Sequence, residues 1–463
     1  MEQVTEKKLS QGKAILCFGT VLGILAIGRF VLGLDLHVVM LIAVMTATIF
    51  GMFFGYTWVE ISEGIYDQIG RCLETLIIFM LVGAVISTYI ACGAVPGLIY
   101  YGLKILSPSL FLPAGFLIAS LTSLATGSSW GTIGTIGIAL LAIGNGLGVP
   151  APITAGMIVG GAFFGDKMSP VSDTTNLAAG VAETNLYRHI STMMYVAVPA
   201  YIISLLLYAL IGIKYSSGSI DMTQVNNMLG ILQTHFNLNA IVMLPLLIII
   251  VLSIKKVPAI INMLIGIFVA AILTVIFQGA EISKALAIIN QGYSIQSGME
   301  SVDNLLSRGG IQSMMWSISL VLLALSLGGV LGKTKVLETI IIGITSRVKT
   351  AGGLMLAAII SSIIGLMATA VIYFTISING RLFKKPFEDM GLDSSMLSRA
   401  TEEGGTAMDP LIPWTTSGLF IASTLGVSTL EYFPYVFNSI LTPIISVVLC
   451  YMGLSVVKAN KEN

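Results

Sequence analysis

The chain has 463 residues, 56% of them hydrophobic and 10% charged, with a mean hydropathy of +0.94 and zero formal net charge. Soluble globular proteins carry roughly 25% Asp, Glu, Lys and Arg, so the composition excludes an ordinary water-soluble enzyme. It also excludes a disordered chain, a collagen-like fibre and a secreted disulfide scaffold, and no basic arm points to nucleic acid. The natural solvent is a lipid bilayer. Apolar runs of about 20 residues over half the chain give on the order of ten to twelve crossings.

Lys7, Lys8 and Lys13 precede an apolar run at 14–32, too long for the core of a cleaved signal and read as the first span. An amphipathic stretch, 60–74, holds Glu63, Asp67 and Arg71 and reads as a surface helix or the mouth of a cavity. Further apolar runs lie at 38–54, 76–91, 110–124, 133–143 and 190–213. After a polar connection at 214–236 come 238–254, 257–277, 314–331, 354–376, 411–425 and 433–457. Two apolar pieces, 95–106 and 336–345, are too short to span and fit re-entrant segments. Cys17, Cys72, Cys92 and Cys450 lack any CxxC spacing, and His37, His189 and His235 stand apart, so neither set forms a ligand cluster.

The halves repeat weakly. Residues 94–102 resemble 335–343, Ala125-Thr126 matches Ala368-Thr369, and Lys167 to Pro170 matches Ala407 to Pro410, at offsets of 240 to 243. Basic residues then orient the chain: Lys7, Lys8, Lys13, Lys255, Lys256, Lys333, Lys335, Lys458 and Lys461 belong in the cytoplasm. The expected fold is an all-α polytopic membrane protein of two inverted repeats with broken or re-entrant helices. Its divisions are a cytoplasmic N-terminus (1–13), a first repeat (14–213), an external linker (214–236), a second repeat (237–457) and a cytoplasmic C-terminus (458–463). The cell membrane is the expected location.

An ionised group at the bilayer centre costs at least ~2.5–3.5 kcal/mol, so polar breaks in apolar runs mark function. In the first half Thr126, Ser128, Ser129 and Thr132 interrupt two runs, either as substrate contacts or as hydroxyls bonded back into their helices. Next, Gly165 to Asn176 combines Asp166, Lys167, Asp173, Thr174, Thr175 and Asn176 around Pro170, which discourages helix at Ser169. Carboxylates, hydroxyls, an amide and freed carbonyls suit a dehydrated Na⁺. Asp173 leads as the coupling group, with helix N-capping its alternative role. Asp166 has an ion pair with Lys167 as its alternative. In the second half Ser398 to Pro410 holds Arg399, Glu402, Glu403, Thr406 and Asp409, followed by Thr415. It reads as a pore-lining break aligned with 158–170, or else as a solvated loop. Glu403 and Asp409 join Asp173 as proton-coupling candidates, while Lys167 and Arg399 are available to a substrate carboxylate. Crowded together, Glu402, Glu403 and Asp409 cannot all ionise.

Residues 125–132, and above all 165–176, resemble the signature of the NhaC-type sodium/proton antiporter family of the ion transporter superfamily. Gly55 to Glu60 and Arg188-His189-Ile190 also fit. The resemblance implies exchange of Na⁺ for H⁺, with relatives that exchange malate and Na⁺ for lactate and H⁺. It implies that Asp166, Asp173, Thr174, Thr175 and Asn176 form one half-site and Glu402, Glu403 and Thr406 the other. The family often reads Pro-Leu-Ile-Pro-Trp-Asn, whereas here Trp414 is followed by Thr415, and Asp409 stands where a small hydroxyl residue is common.

The function expected is Na⁺/H⁺ exchange by alternating access, without a cofactor, Na⁺ being the transported or coupling ion. Burial disfavours a charged carboxylate and a bound cation favours it, so H⁺ and Na⁺ compete for one group. The alternative is a Na⁺- or H⁺-coupled exchanger or symporter of small organic acids or amino acids. No HExxH, GxSxG with a suitable histidine, or phosphate loop marks an enzyme. A homodimer is the assembly allowed for.

Overall fold

The computed structural model describes residues 9–216, 222–345 and 348–459. Lys7, Lys8 and Lys461, used above for orientation, lie outside the described residues, as do parts of the proposed termini and linker.

The first half contains α1 (Gln11–Ala26), α2 (Leu36–Phe53), α3 (Trp58–Arg71), α4 (Leu73–Ala91), α5 (Ala94–Ile105) and α6 (Pro108–Thr126). It continues with α7 (Ser129–Thr132), α8 (Ile138–Gly146), α9 (Ala151–Met168), α10 (Asp173–Val181) and α11 (Leu186–Ser216). The remainder contains α12 (Met222–His235), α13 (Leu244–Ile254), α14 (Ala259–Gln278), α15 (Ile282–Gln291), α16 (Glu300–Leu306), α17 (Met315–Lys333) and α18 (Val336–Thr345). It ends with α19 (Ala351–Thr369), α20 (Ile372–Asp389), α21 (Ser394–Gly404), α22 (Thr416–Leu425), α23 (Thr429–Tyr432) and α24 (Phe437–Tyr451). Among the described residues the one β feature is an isolated bridge between Leu392 and Lys458.

Eight helices among these residues are long and apolar enough to cross a bilayer. Two bent pairs, 225–235 with 240–254 at 95° and 429–435 with 437–451 at 58°, are broken spans or re-entrant loops and bring the total to ten if each counts as one span. The count of up to ten meets the lower end of the expected range. Two apolar runs account for the shortfall: 133–143 lies in a helix interrupted by a π-helical turn at Ile133–Gly137 and flanked by polar residues, and 411–425 yields only the ten-residue α22. The segment read as a linker is also partly helical, since it contains α12, which packs on α5.

Helix starts reveal the repeat. Helices α6, α7, α9, α10 and α11 begin at Pro108, Ser129, Ala151, Asp173 and Leu186. Helices α19, α20, α21, α22 and α23 begin at Ala351, Ile372, Ser394, Thr416 and Thr429, each 243 residues later. Close packing follows the same shift. A Cβ at Gly161 would lie 2.8 Å from the Phe116 carbonyl oxygen, and one at Gly404 would lie 2.5 Å from that of Ile359. Such backbone approach between helices without a strong hydrophobic force is what small residues permit. The register of 240 used above for 158–170 is therefore corrected to 243. Asp409 stands opposite Asp166 in the repeat.

Each half breaks its helices at the same places. Helix α6 ends at Gly127 (φ 68°) and α19 at Ala370 (φ 58°), both left-handed, before extended residues Ser128 and Val371. Glycine takes that conformation at no steric cost; alanine at position 370 does not. Gly127 also faces backbone, because a Cβ there would meet the Val171 carbonyl carbon at 2.9 Å. Helix α9 stops at Ser169, extended ahead of Pro170 as expected. The break after α19 meets the start of α22: the Thr416 N–H donates to the Ala370 carbonyl at 3.0 Å. Irregular backbone at membrane depth is tolerated only where protein buries it or a cavity wets it.

Candidate functional site

The breaks enclose a cavity of about 400 Å³. Its polar lining includes Arg71, Glu74, Ser128, Ser129, Asp166, Asp173, Thr174, Tyr373, Thr406, Asp409 and Ser417. A second lobe of about 360 Å³ shares Glu74, Ser128, Trp130 and Asp173 and runs past Thr126 and Asn262 to Lys256. The stretch 60–74 is thus the cavity mouth of the two alternatives: α3 is capped by Thr57 and Glu60, and Arg71 and Glu74 reach the lining. At the far end of the bundle, Gln278 of α14 donates to the Cys92 carbonyl after α4 at 2.8 Å.

Asp166 is buried in the last turn of α9. Its Oδ2 accepts from the Ser129 N–H (3.2 Å) and hydroxyl (2.6 Å), and its Oδ1 has no partner. Asp409 repeats this arrangement. It is buried, its Oδ2 accepts from the Ser417 hydroxyl, and its Oδ1 has no partner. A buried carboxylate oxygen left bare is costly unless a proton or cation meets it. Both residues line one cavity.

Asp173 opens onto both lobes. Ser172, not Asp173, caps α10, by accepting from the Thr175 N–H at 3.5 Å. Asp173 Oδ1 accepts from the Thr174 N–H at 2.9 Å, and Oδ2 accepts from the Tyr373 hydroxyl of the other half. Trp130 crosses in the opposite sense, donating to the Ser417 hydroxyl oxygen at 3.1 Å while stacking on Phe420 at 4.3 Å between ring centres.

Other candidates lie elsewhere. Thr175 donates to the carbonyls of Asp166 and Lys167, both at 3.3 Å, and Asn176 donates to those of Pro170 and Ser172. Both brace the break instead of facing the cavity. Thr132 bonds back to the Ser128 carbonyl, and Thr126 bonds back to Thr122 while edging the second lobe. Thr415 caps α22 through the Gly418 N–H and donates to the Asp409 carbonyl at 2.6 Å.

Lys167, Arg399, Glu402 and Glu403 correct the reading most. All are buried, and none borders the cavity. Lys167 does not pair with Asp166, because successive residues on a helix point apart; its charge faces Glu402 and Glu403 instead. Arg399 lies 3.8 Å from Glu403 and donates to the Ser455 carbonyl at 3.2 Å. Residues 398–404 belong to buried α21, so the solvated-loop alternative fails. His189 joins this sealed cluster's edge, with Nδ1 2.6 Å from the Ser398 hydroxyl. Among the described residues no three His, Cys, Asp or Glu side chains converge as a metal cluster.

Sequence reasoning missed Tyr373 and Ser417. Both are uncharged, so a search for charge in apolar runs passes them. The available signal was the repeat: Trp130 and Tyr373 are 243 residues apart, as are Thr174 and Ser417.

A model of the Na+/H+ antiporter family matches residues 161–454, which include the breaks after α9 and α19. The chain belongs to this family. It is 36% identical over 99% of its length to the whole of the Na(+)/H(+) antiporter NhaC of Alkalihalophilus pseudofirmus. The malate-2H(+)/Na(+)-lactate antiporter of Bacillus subtilis is 35% identical over 95% of this chain and 94% of its own length. The arginine/ornithine antiporter ArcD of Halobacterium salinarum is 38% identical over 99% of this chain and 95% of its own length. The protein is accordingly a multi-pass membrane protein and a secondary transporter of the NhaC family, not an enzyme.

Proposed function

We propose that this transporter exchanges Na⁺ for H⁺ across the cell membrane through the carboxylates of the central cavity. One observation carries the reading: Asp166 and Asp409, equivalent residues of the two halves, both line one cavity, and each has a buried oxygen without a partner. Each oxygen accepts a proton or, with hydroxyls such as Ser129, Thr406 and Ser417 nearby, a dehydrated cation. Only one of the two fits a given carboxylate at a time, and that exclusion is the coupling. Asp173, on the same cavity, supplies a third carboxylate, while Glu402 and Glu403, held beside Lys167 and Arg399, serve the fold first.

The two repeats, about 14–213 and 237–457, are inverted in this reading, so that rocking one against the other exposes the cavity to each side in turn. In this reading both termini are cytoplasmic, which the positive charge of Lys13, Lys255, Lys256, Lys333 and Lys458 supports.

A second reading has its own support. A cavity of about 400 Å³ with a second lobe of about 360 Å³ far exceeds a dehydrated Na⁺, and lies in the range of small-molecule sites. Arg71 and Lys256 would meet a carboxylate there, Glu74 and Asp173 an amine. A small organic acid or amino acid, exchanged with Na⁺ or H⁺, is the cargo this volume suits.

Proton flux in proteoliposomes, driven in turn by Na⁺, Li⁺, K⁺, malate, lactate, arginine and ornithine, decides between them. Na⁺ alone should move protons, and Asp166→Asn or Asp409→Asn should abolish that flux in folded protein. Flux requiring an organic solute selects the second reading. Wild-type exchange in both variants refutes the carboxylate site.

A further inference from the structure

The aromatic walls of the cavity are related by the repeat, yet they end on different chemistry. Trp130 and Tyr373 are each the second residue of a helix that follows a break, α7 and α20. Each donates a hydrogen bond to the first turn of a helix in the other half. Trp130 ends on a hydroxyl, Ser417, which itself donates to Asp409. Tyr373 ends directly on a carboxylate, Asp173. Tyr373 is 41% exposed and lines the cavity.

A phenol hydrogen on a carboxylate oxygen carries partial positive charge and occupies a direction from which a cation approaches. Asp173 Oδ1 already accepts from the Thr174 N–H, so Oδ2 is the freer oxygen and Tyr373 covers it. An arriving cation and the Tyr373 hydrogen repel each other.

We propose that Tyr373 is a positioning residue that stands in for the transported cation at Asp173. In the empty cavity its hydroxyl ties α20 of the second half to α10 of the first. A bound alkali cation displaces the hydroxyl and releases that tie, so occupancy of the site is felt where the halves meet. The proposal rests on the cation-exchange reading above.

The test is Tyr373→Phe, which keeps the ring and removes the donor. Tyr89→Phe is the comparison, since it removes a buried phenol bond to the Pro245 carbonyl from a residue that lines neither lobe and touches none of the three aspartates. In Na⁺-driven proton flux, Tyr373→Phe should lower the half-saturating Na⁺ roughly tenfold, the scale of one hydrogen bond to a charged group. It should also allow proton movement without Na⁺, because the empty carrier is no longer tied. Calorimetric Na⁺ binding to the purified protein reads the same shift even if turnover is lost. Tyr89→Phe should leave the half-saturating Na⁺ unchanged. An unchanged or raised value in Tyr373→Phe overturns the proposal, as does an equal fall in Tyr89→Phe. A wild-type protein silent to Na⁺, Li⁺ and K⁺ overturns the cation reading itself, and is told apart by needing no variant.

Discussion

Replacing Gly165 with alanine asks whether the packing of α9 on α6 sets the site. A Cβ there would lie 2.3 Å from the Ser120 carbonyl oxygen and 2.6 Å from the Leu124 nitrogen. Both are backbone atoms and neither can swing aside. Reaching ordinary contact near 3.4 Å requires the helices to part by about 1 Å, and overpacking of this kind costs ~1–3 kcal/mol. The next residue is Asp166, held by Ser129 at 2.6 and 3.2 Å. A further ~1 Å takes both contacts beyond hydrogen-bond range, removing interactions with a charged group worth ~1.5–3 kcal/mol. Thermal unfolding in detergent should therefore show a lowered Tm, and Na⁺-driven flux in liposomes should fall by about tenfold or more. Gly180, an exposed residue of α10 with nothing within 4 Å of an added Cβ, is the control. Alanine there should be neutral or raise stability by ~0.5–1 kcal/mol. Wild-type Tm and flux in Gly165→Ala, or an equal loss in Gly180→Ala, would refute the reasoning.

The helix breaks should respond in opposite directions. Gly127→Ala forces a left-handed alanine against Val171 and should destabilise by ~1–2 kcal/mol or more, whereas Ala370→Gly relieves the same strain and should gain ~1 kcal/mol; denaturation midpoints compare them. In the sealed cluster, Arg399→Met leaves Glu403 without its nearest cation and should cost ~3–5 kcal/mol, with partial recovery in the Arg399→Met, Glu403→Gln double variant. Melting curves that match wild type would show that the cluster does not support the fold. Outside the spans, the Ser297 hydroxyl and N–H hold the Asp303 carboxyl below its ordinary range. A lowered value means stabilisation that is present above the ordinary carboxyl pKa and lost as pH falls through the folded one. The protection of the Ser297 amide against hydrogen exchange, relative to its intrinsic rate at each pH, should fall in acid, and Asp303→Asn should flatten that response.

Sequence by itself determined the solvent, the helical class and the position of two breaks. These depend on local matters: mean apolarity, the left-handed tolerance of Gly127, and the effect of Pro170 on Ser169. It also carried the family through Gly165 to Asn176. Register lay beyond it. A three-residue slip between halves leaves apolar residues matched with apolar residues, so 240 and 243 look alike until Gly161 and Gly404 are seen against equivalent carbonyls. Only tertiary structure separated the carboxylates, bringing Asp166, Asp173 and Asp409 to the cavity and turning Glu402 and Glu403 away toward Lys167 and Arg399. Neighbours along a helix point in different directions, and which direction meets water is set by the helix packed alongside. Tyr373 shows the limit most clearly. Nothing local distinguishes it, and its bond to Asp173 exists because α20 crosses α10 from the far half of the chain.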